Sequence, residues 1–235
     1  AATIQIVEGE LGWSLTHVFG LTETSPFIAI CEPRPEHRDL SAAESAALKA
    51  CQGVELVSSG ELRVVDEGGH EVAHDGATLG EITVRGNVVM KGYYNDAEAT
   101  AAAIKNGWFH SGDAAVVHPN GYVEIRDRFK DVIISGGENV SSIEVEGCLL
   151  THTAVQEVAV VGMPHEKWGE SPHAFVVMQA GLEVSEDELK SHVRENLAHF
   201  KTPQWVSFVE ELPKTATGKV QKFMLRDGQS GISRQ

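Results

Sequence analysis

Near the end of the chain, Lys214-Thr215-Ala216-Thr217-Gly218-Lys219 sets an ammonium directly after a glycine, among small hydroxyl residues. Glycine permits tight backbone geometry, and a lysine beyond it reaches an anion as a compact point charge. A Walker-type phosphate loop is the first chemistry to test. It needs a glycine five positions before Gly218 and a serine or threonine after Lys219; Pro213 and Val220 stand there, so that reading fails. A second candidate is His70-Glu71-Val72-Ala73-His74, which matches the zinc-protease pattern HExxH. That chemistry requires a helix, so that both imidazoles face one metal. Gly68-Gly69 before it and Asp75-Gly76 after it are turn formers, so a loop between strands is expected instead, without zinc. Taken alone, Gly218-Lys219 reads as a solvated turn.

Other segments change that reading. Phe19-Gly20-Leu21-Thr22-Glu23-Thr24-Ser25-Pro26 carries hydroxyls, one carboxylate and a stacking ring. Gly107-Trp108-Phe109-His110-Ser111-Gly112-Asp113 ends in an acid, and Arg126-Asp127-Arg128-Phe129-Lys130-Asp131 and Ser135-Gly136-Gly137-Glu138-Asn139 follow. In this order and spacing they resemble the adenylate-forming enzymes, most closely the AMP-forming acyl-CoA ligases. The match runs from about Gly12 to Arg226.

The resemblance implies a role for each matching residue. Phe19 would stack on adenine where tyrosine is usual, within a segment that includes Gly20; Thr22 would touch the α-phosphate and Glu23 would hold Mg²⁺. Asp113 would accept hydrogen bonds from both ribose hydroxyls, a task that suits an acceptor-only carboxylate, with Arg128 as a second ribose contact. Lys130 would be the hinge of a rotating small domain, and Gly136 and Gly137 would line the path of the pantetheine arm. Lys219 would bridge the substrate carboxylate and the α-phosphate. A unit charge about 4 Å from such an anion is worth roughly 4 kcal/mol at an effective dielectric near 20, about a thousandfold in rate. Without the resemblance, Phe19 is a buried aromatic beside a polar turn, Asp113 a turn acid and Arg128 a surface arginine.

The implied activity is that of an acid–thiol ligase. A carboxylic acid, either a short- or medium-chain fatty acid or an aromatic one, reacts with ATP to give acyl-adenylate and pyrophosphate; coenzyme A then displaces AMP. Two alternatives stand beside it: an adenylation domain that loads a carrier-protein thiol, and a non-catalytic nucleotide-binding fragment. The segment 135–140 favours coenzyme A. The family's upstream Ser/Thr/Gly-rich phosphate loop is not among these residues, so the chain is expected to be the C-terminal part of a longer enzyme and inactive alone.

The elements that must position these residues follow from patterning. A helix is expected over 41–51, and alternating strands over 61–65 and 81–85. A capped helix over 95–105 ends at Asn106-Gly107, and a hairpin joins 114–117 to 122–126 across His118-Pro119-Asn120-Gly121. Beyond residue 128 the pattern alternates: strand 131–134, helix 141–152, strands 155–161 and 174–178, a helix from 185 to about 197 or 200, and strand 204–209. The tail holding Lys219 shows no patterning reason for order. The expected fold is mixed α/β: residues 1–127 form the strand-rich, barrel-like end of a large N-terminal adenylating domain. Residues 128–235 form a small, mobile α+β C-terminal lid domain.

Composition narrows the setting. The 235 residues are 42% apolar and carry a formal charge of −15, which argues against non-specific nucleic-acid binding. No apolar run reaches membrane-spanning length. Three widely spaced cysteines (Cys31, Cys51 and Cys148) suggest a reducing cytoplasm and no disulfide framework.

Overall fold

The computed structural model describes residues 2–216 and 218–228. The chain divides into two compact units, Ala1–Arg126 and Asp127–Gln235.

The first unit contains helices α1 (Ala2–Glu10), α2 (Ala42–Ala50) and α3 (Ala97–Ala103). Its strands are β1 (His17–Phe19), β2 (Ala29–Cys31), β3 (Val54–Glu55), β4 (Glu61–Val65), β5 (Gly80–Arg85), β6 (Ile104–Lys105), β7 (Trp108–Val117) and β8 (Val123–Arg128), the last running into the second unit. Strands β1-β2-β3 make a small antiparallel sheet; β4-β5-β7-β6 make a second, with β8 beside β7. Helix α2 begins as its sequence demands. The Ser41 hydroxyl accepts from the Glu44 N–H at 3.3 Å and the Glu44 carboxylate accepts from the Ser41 N–H at 2.8 Å, which satisfies two otherwise unpaired donors. Ile28, Val64, Val72, Ile82, Val84 and Ala115 head the core, and Phe19 and Ile125 pack against it.

Two expectations for this unit need correction or detail. The helix over 95–105 stops at Ala103, and Ile104–Lys105 is a strand paired with Trp108 and Phe109. Asn106 and Gly107 between them have φ of +52° and +80°, so they turn a tight hairpin rather than end a helix. The His70–His74 segment is not helical: Glu71 bridges to Val65, and the His70 N–H donates to Asp66 Oδ1 at 2.9 Å.

The second unit holds β9 (Ile133–Ser135), β10 (Glu138–Val140), α4 (Ser142–Leu149), β11 (Val155–His165), β12 (Gly169–Met178), α5 (Glu186–Asn196), β13 (Trp205–Phe208) and α6 (Lys222–Arg226). Its sheet runs β10-β9-β12-β11, with β13 parallel to β12 along the edge away from β11, beyond the single pairing of β9 at Gly169. Successive residues of a strand point to opposite faces, and here both faces are covered. Val158, Val160, Ala174 and Val176 meet Val145 and Leu149 of α4 and Leu189 and Val193 of α5. Ala159, Val161, Phe175 and Val177 meet Val209, Leu212 and Leu225. That is why β11 and β12 read as apolar runs. Their hairpin is longer than the patterning suggests, with pairing that continues through His165 and Gly169.

The expected helix over 141–152 ends at Leu149, and the one reaching 197 or 200 ends at Asn196, followed by a 3-10 turn at His199–Lys201. The tail is more ordered than its patterning suggests: Leu225 is buried and anchors α6.

Candidate functional site

In the first unit, the Phe19 carbonyl accepts from the Ile28 N–H at 2.8 Å, which folds 19–28 into a closed loop. A Cβ on Gly20 would lie 1.7 Å from the Pro26 oxygen and 2.7 Å from Phe27 Cα, so only glycine fits beneath that strap. Thr22–Thr24 form a 3-10 turn whose pin is the buried Thr24. The Thr24 hydroxyl accepts from the Leu21 N–H at 2.9 Å and donates to the Leu21 oxygen at 3.0 Å. Thr22 is left exposed beside it. The Glu23 carbonyl accepts from the Met90 N–H at 2.8 Å, and Glu23 Oε1 accepts from the Tyr93 hydroxyl at 3.0 Å. Burial, and then the Glu23 carboxylate, push the Tyr93 phenol above its usual range. Sequence reasoning missed Tyr93 because it lies 70 positions away, and nothing local signals the contact.

Asp113 sits within β7 and is buried, not in a turn. The β5–β7 register pairs Glu81 with Ala114 but Thr83 with His110, so Ser111, Gly112 and Asp113 oppose Ile82 alone. This is a bulge, and Gly112, at φ +74°, supplies its left-handed residue. Glu81 clamps it with both oxygens: one accepts from the Gly112 N–H at 3.0 Å, and the other lies 2.6 Å from His110 Nδ1. The Ser111 hydroxyl accepts from the Asp113 N–H at 3.0 Å, a task that serine performs as well as threonine. Ile82 belongs to the core against which Phe19 packs, so both candidate segments rest on one scaffold.

In the second unit, Arg128 is exposed and its N–H donates to Asp127 Oδ1 at 2.8 Å. Asp127 is buried, and its other oxygen accepts from the Ser142 N–H at 2.6 Å, where a carboxylate suits the positive end of α4. The Arg128 carbonyl accepts from the Asp131 and Val132 N–H groups at 2.7 and 2.9 Å, which leaves Lys130 exposed within a tight turn. Arg226 of α6 holds Asp131 at 2.5 Å. Gly136 and Gly137, at φ +62° and +88°, form the two-residue turn between β9 and β10. They are not equivalent. A Cβ on Gly136 would come within 2.9 Å of the Trp168 ring, whereas one on Gly137 would meet nothing within 4 Å.

Lys219 is exposed and closes a small turn. Its carbonyl accepts from the Thr215 N–H at 2.8 Å, its N–H donates to Thr215 Oγ1 at 3.2 Å, and Lys214 bridges to Val220. Gly218 supplies φ +84°, and Thr217 lies outside the described residues. The neighbouring lysines do different work. Lys214 pairs with Glu157 at 2.6 Å near the surface, whereas Lys222 lies 2.7 Å from Glu146 and 2.5 Å from the Ser142 hydroxyl. Glu146 also accepts from the Val160 N–H at 2.8 Å. Burial pushes its carboxyl above the ordinary range, with Lys222 pulling the other way.

The sequence pattern of the AMP-binding enzymes matches residues 1–94, and that of the AMP-binding enzyme C-terminal domain matches residues 144–219. The chain belongs to the AMP-binding enzyme family.

It is 47% identical to the peroxisomal trans-cinnamate:CoA ligase of Petunia hybrida over 93% of this chain and 38% of that protein. It is 50% identical to 4-hydroxybutyrate–CoA ligase 2 of Metallosphaera sedula over 96% of this chain and 41% of that one. Among solved structures, o-succinylbenzoate coenzyme A synthetase of Bacillus subtilis in complex with AMP superposes with a TM-score of 0.82 at 32% identity. That superposition covers all of this chain and 44% of that one. The chain spans about two-fifths of the length of the curated relatives it matches.

Proposed function

We propose that the protein is an ATP-dependent carboxylic acid–CoA ligase that forms an acyl-adenylate and then an acyl-CoA. The observation that carries this reading is near-half identity, over more than nine-tenths of the chain, to relatives named as CoA ligases for cinnamate, 2-methylpropanoate and 4-hydroxybutyrate. Those names span aromatic and short acids, which supports a substrate in that range and CoA rather than a carrier-protein thiol as the acceptor. Residues 1–127 are read as part of the nucleotide-binding domain and 128–235 as the small mobile domain that completes it.

In this reading Phe19 supplies a face for adenine, and Asp113 and Arg128 hold the ribose. Thr22 donates to the α-phosphate. Glu23 offers a hard carboxylate oxygen suited to Mg²⁺, which when bound would neutralise phosphate charge. Lys219 stabilises the charge that builds between the acid and the α-phosphate, a transition-state interaction and therefore a rate effect. Gly136 and Gly137 leave room for the pantetheine arm. A cytoplasmic setting is supported by three free cysteines. Among the described residues, no helix is long and apolar enough to cross a membrane.

The test is a panel of aromatic and short-chain acids offered to the intact protein with ATP, Mg²⁺ and CoA, with pyrophosphate release as the readout. At least one such acid should release pyrophosphate, and Asp113→Ala should abolish the response together with the calorimetric heat of AMP binding. Silence across the panel, or unchanged AMP binding in Asp113→Ala, refutes the reading.

A further inference from the structure

Away from these residues, three donors of different chemistry converge in the first unit. The Cys51 thiol, a His118 ring nitrogen and a Glu124 carboxylate oxygen all lie within 4.8 Å of one another. They come from the end of α2, the β7–β8 turn and β8, so the cluster is no accident of neighbouring sequence. The backbone beneath them is laced together. The Cys51 N–H donates to the Leu48 oxygen at 3.0 Å, the Gln52 N–H to the Val123 oxygen at 2.9 Å, and the His118 N–H to the Tyr122 oxygen at 2.8 Å. The Gln52 side chain accepts from the Ile125 N–H at 2.5 Å.

We propose that Cys51, His118 and Glu124 form a binding site for a borderline divalent transition metal of the zinc type. Thiolate, imidazole and carboxylate are the three donor classes zinc takes, at about 2.0–2.3 Å, which sets neighbouring donors roughly 3.3–3.8 Å apart in a tetrahedron. The cluster therefore needs only small side-chain adjustments. His118 Nε2 and Glu124 Oε2, now 2.7 Å apart, must separate slightly, and Cys51 must approach. Their positions on rigid elements favour such a site.

The side chains of His118 and Glu124 are about 30% exposed, so the metal has an entry path, and water can take the fourth position. The thiol lies on the buried side, against Cys31 and Tyr122. A thiol binds such a cation as thiolate, so it must give up its proton when the metal enters. Binding forms a sulfur–metal bond, breaks the S–H bond and releases that proton to solvent. Arg126, now 3.0 Å from Glu124, is the cation the metal must displace.

The experiment uses the 235-residue chain, reduced and without an affinity tag, titrated with Co²⁺ as a spectroscopic stand-in and then with Zn²⁺ against a chromophoric chelator. The expected result is a thiolate-to-cobalt charge-transfer band that saturates at one equivalent and is abolished by Zn²⁺. Cys51→Ser should remove the band. The isosteric, partly exposed Glu124→Gln, which spares the fold, should weaken Zn²⁺ by at least about tenfold, the low end of what even outer-shell partners contribute. Absence of the band in the unaltered chain, its survival in Cys51→Ser, or unchanged Zn²⁺ affinity in Glu124→Gln overturns the proposal.

Discussion

Lys222→Met isolates one buried charge pair. Lys222 and Glu146 meet at 2.7 Å with side chains only 16% and 17% exposed. Removal of one partner of such a pair leaves an uncompensated charge, a loss of about 3–5 kcal/mol. Here the loss has a ceiling, because Glu146 keeps its bond from the Val160 N–H and can take up a proton. We therefore expect about 3 kcal/mol at neutral pH, roughly a hundredfold or more in the folding equilibrium.

The pH dependence has a definite sign. A carboxyl whose native pKa is raised binds its proton more readily folded than unfolded. Its burial penalty is thus full above the native pKa and vanishes below the unfolded value, near ~4.3. Without Lys222 the native pKa rises further, so the destabilisation should shrink steadily as the pH falls from 7 towards 4. Glu146→Gln added to Lys222→Met should recover much of the loss. Hydrogen exchange at the β11 and β12 amides reports the stability of this unit. A loss under about 1 kcal/mol that ignores pH would show that the pair is effectively solvated, as surface pairs are.

Three further outcomes are expected. Lys219→Ala should slow acyl-adenylate formation by about a hundred- to a thousandfold and leave CoA attack on pre-formed acyl-adenylate nearly unchanged, as single-turnover assays of each half-reaction would show. Equal slowing of both halves would make the lysine merely structural. If Lys130 is the hinge of the proposed reading, Lys130→Pro should do the reverse, since Pro fixes φ in that exposed turn, and the same two assays read it. Gly20→Ala should destabilise by about 3 kcal/mol, at the top of the usual overpacking range, because each obstructing atom is backbone. A thermal melt within a degree of the parent would contradict that.

The capped helices were the most legible elements, because a cap is local chemistry. Ser41, Ser141 and Ser185 each accept the N–H three residues on, as their spacing to Glu44, Glu144 and Glu188 suggests. Flanking glycines likewise exposed the HExxH segment as non-helical. Asn106-Gly107 misled because the same pair ends helices and turns hairpins; only the partner strand decides. The order around Lys219 was invisible because it depends on Leu225 packing under a distant sheet. Of the candidate site, the acids and glycines could be named from sequence, but their supports could not. Tyr93, Glu81 and Thr24 act through contacts that polar residues advertise no differently from solvated ones.

The bulge at Asp113 also has a consequence for parity. The sums of paired positions across β5 and β7 drop by two through it, so the longer strand gains an even number of residues. Side chains alternate with a period of two, so Phe109 before the bulge, opposite Val84, and Ala115 after it, opposite Gly80, stay on the same face. A single extra residue would have put the two halves of that face on opposite sides of the sheet. A change of length in the bulge that holds the acid therefore keeps the face of the flanking strand only in steps of two.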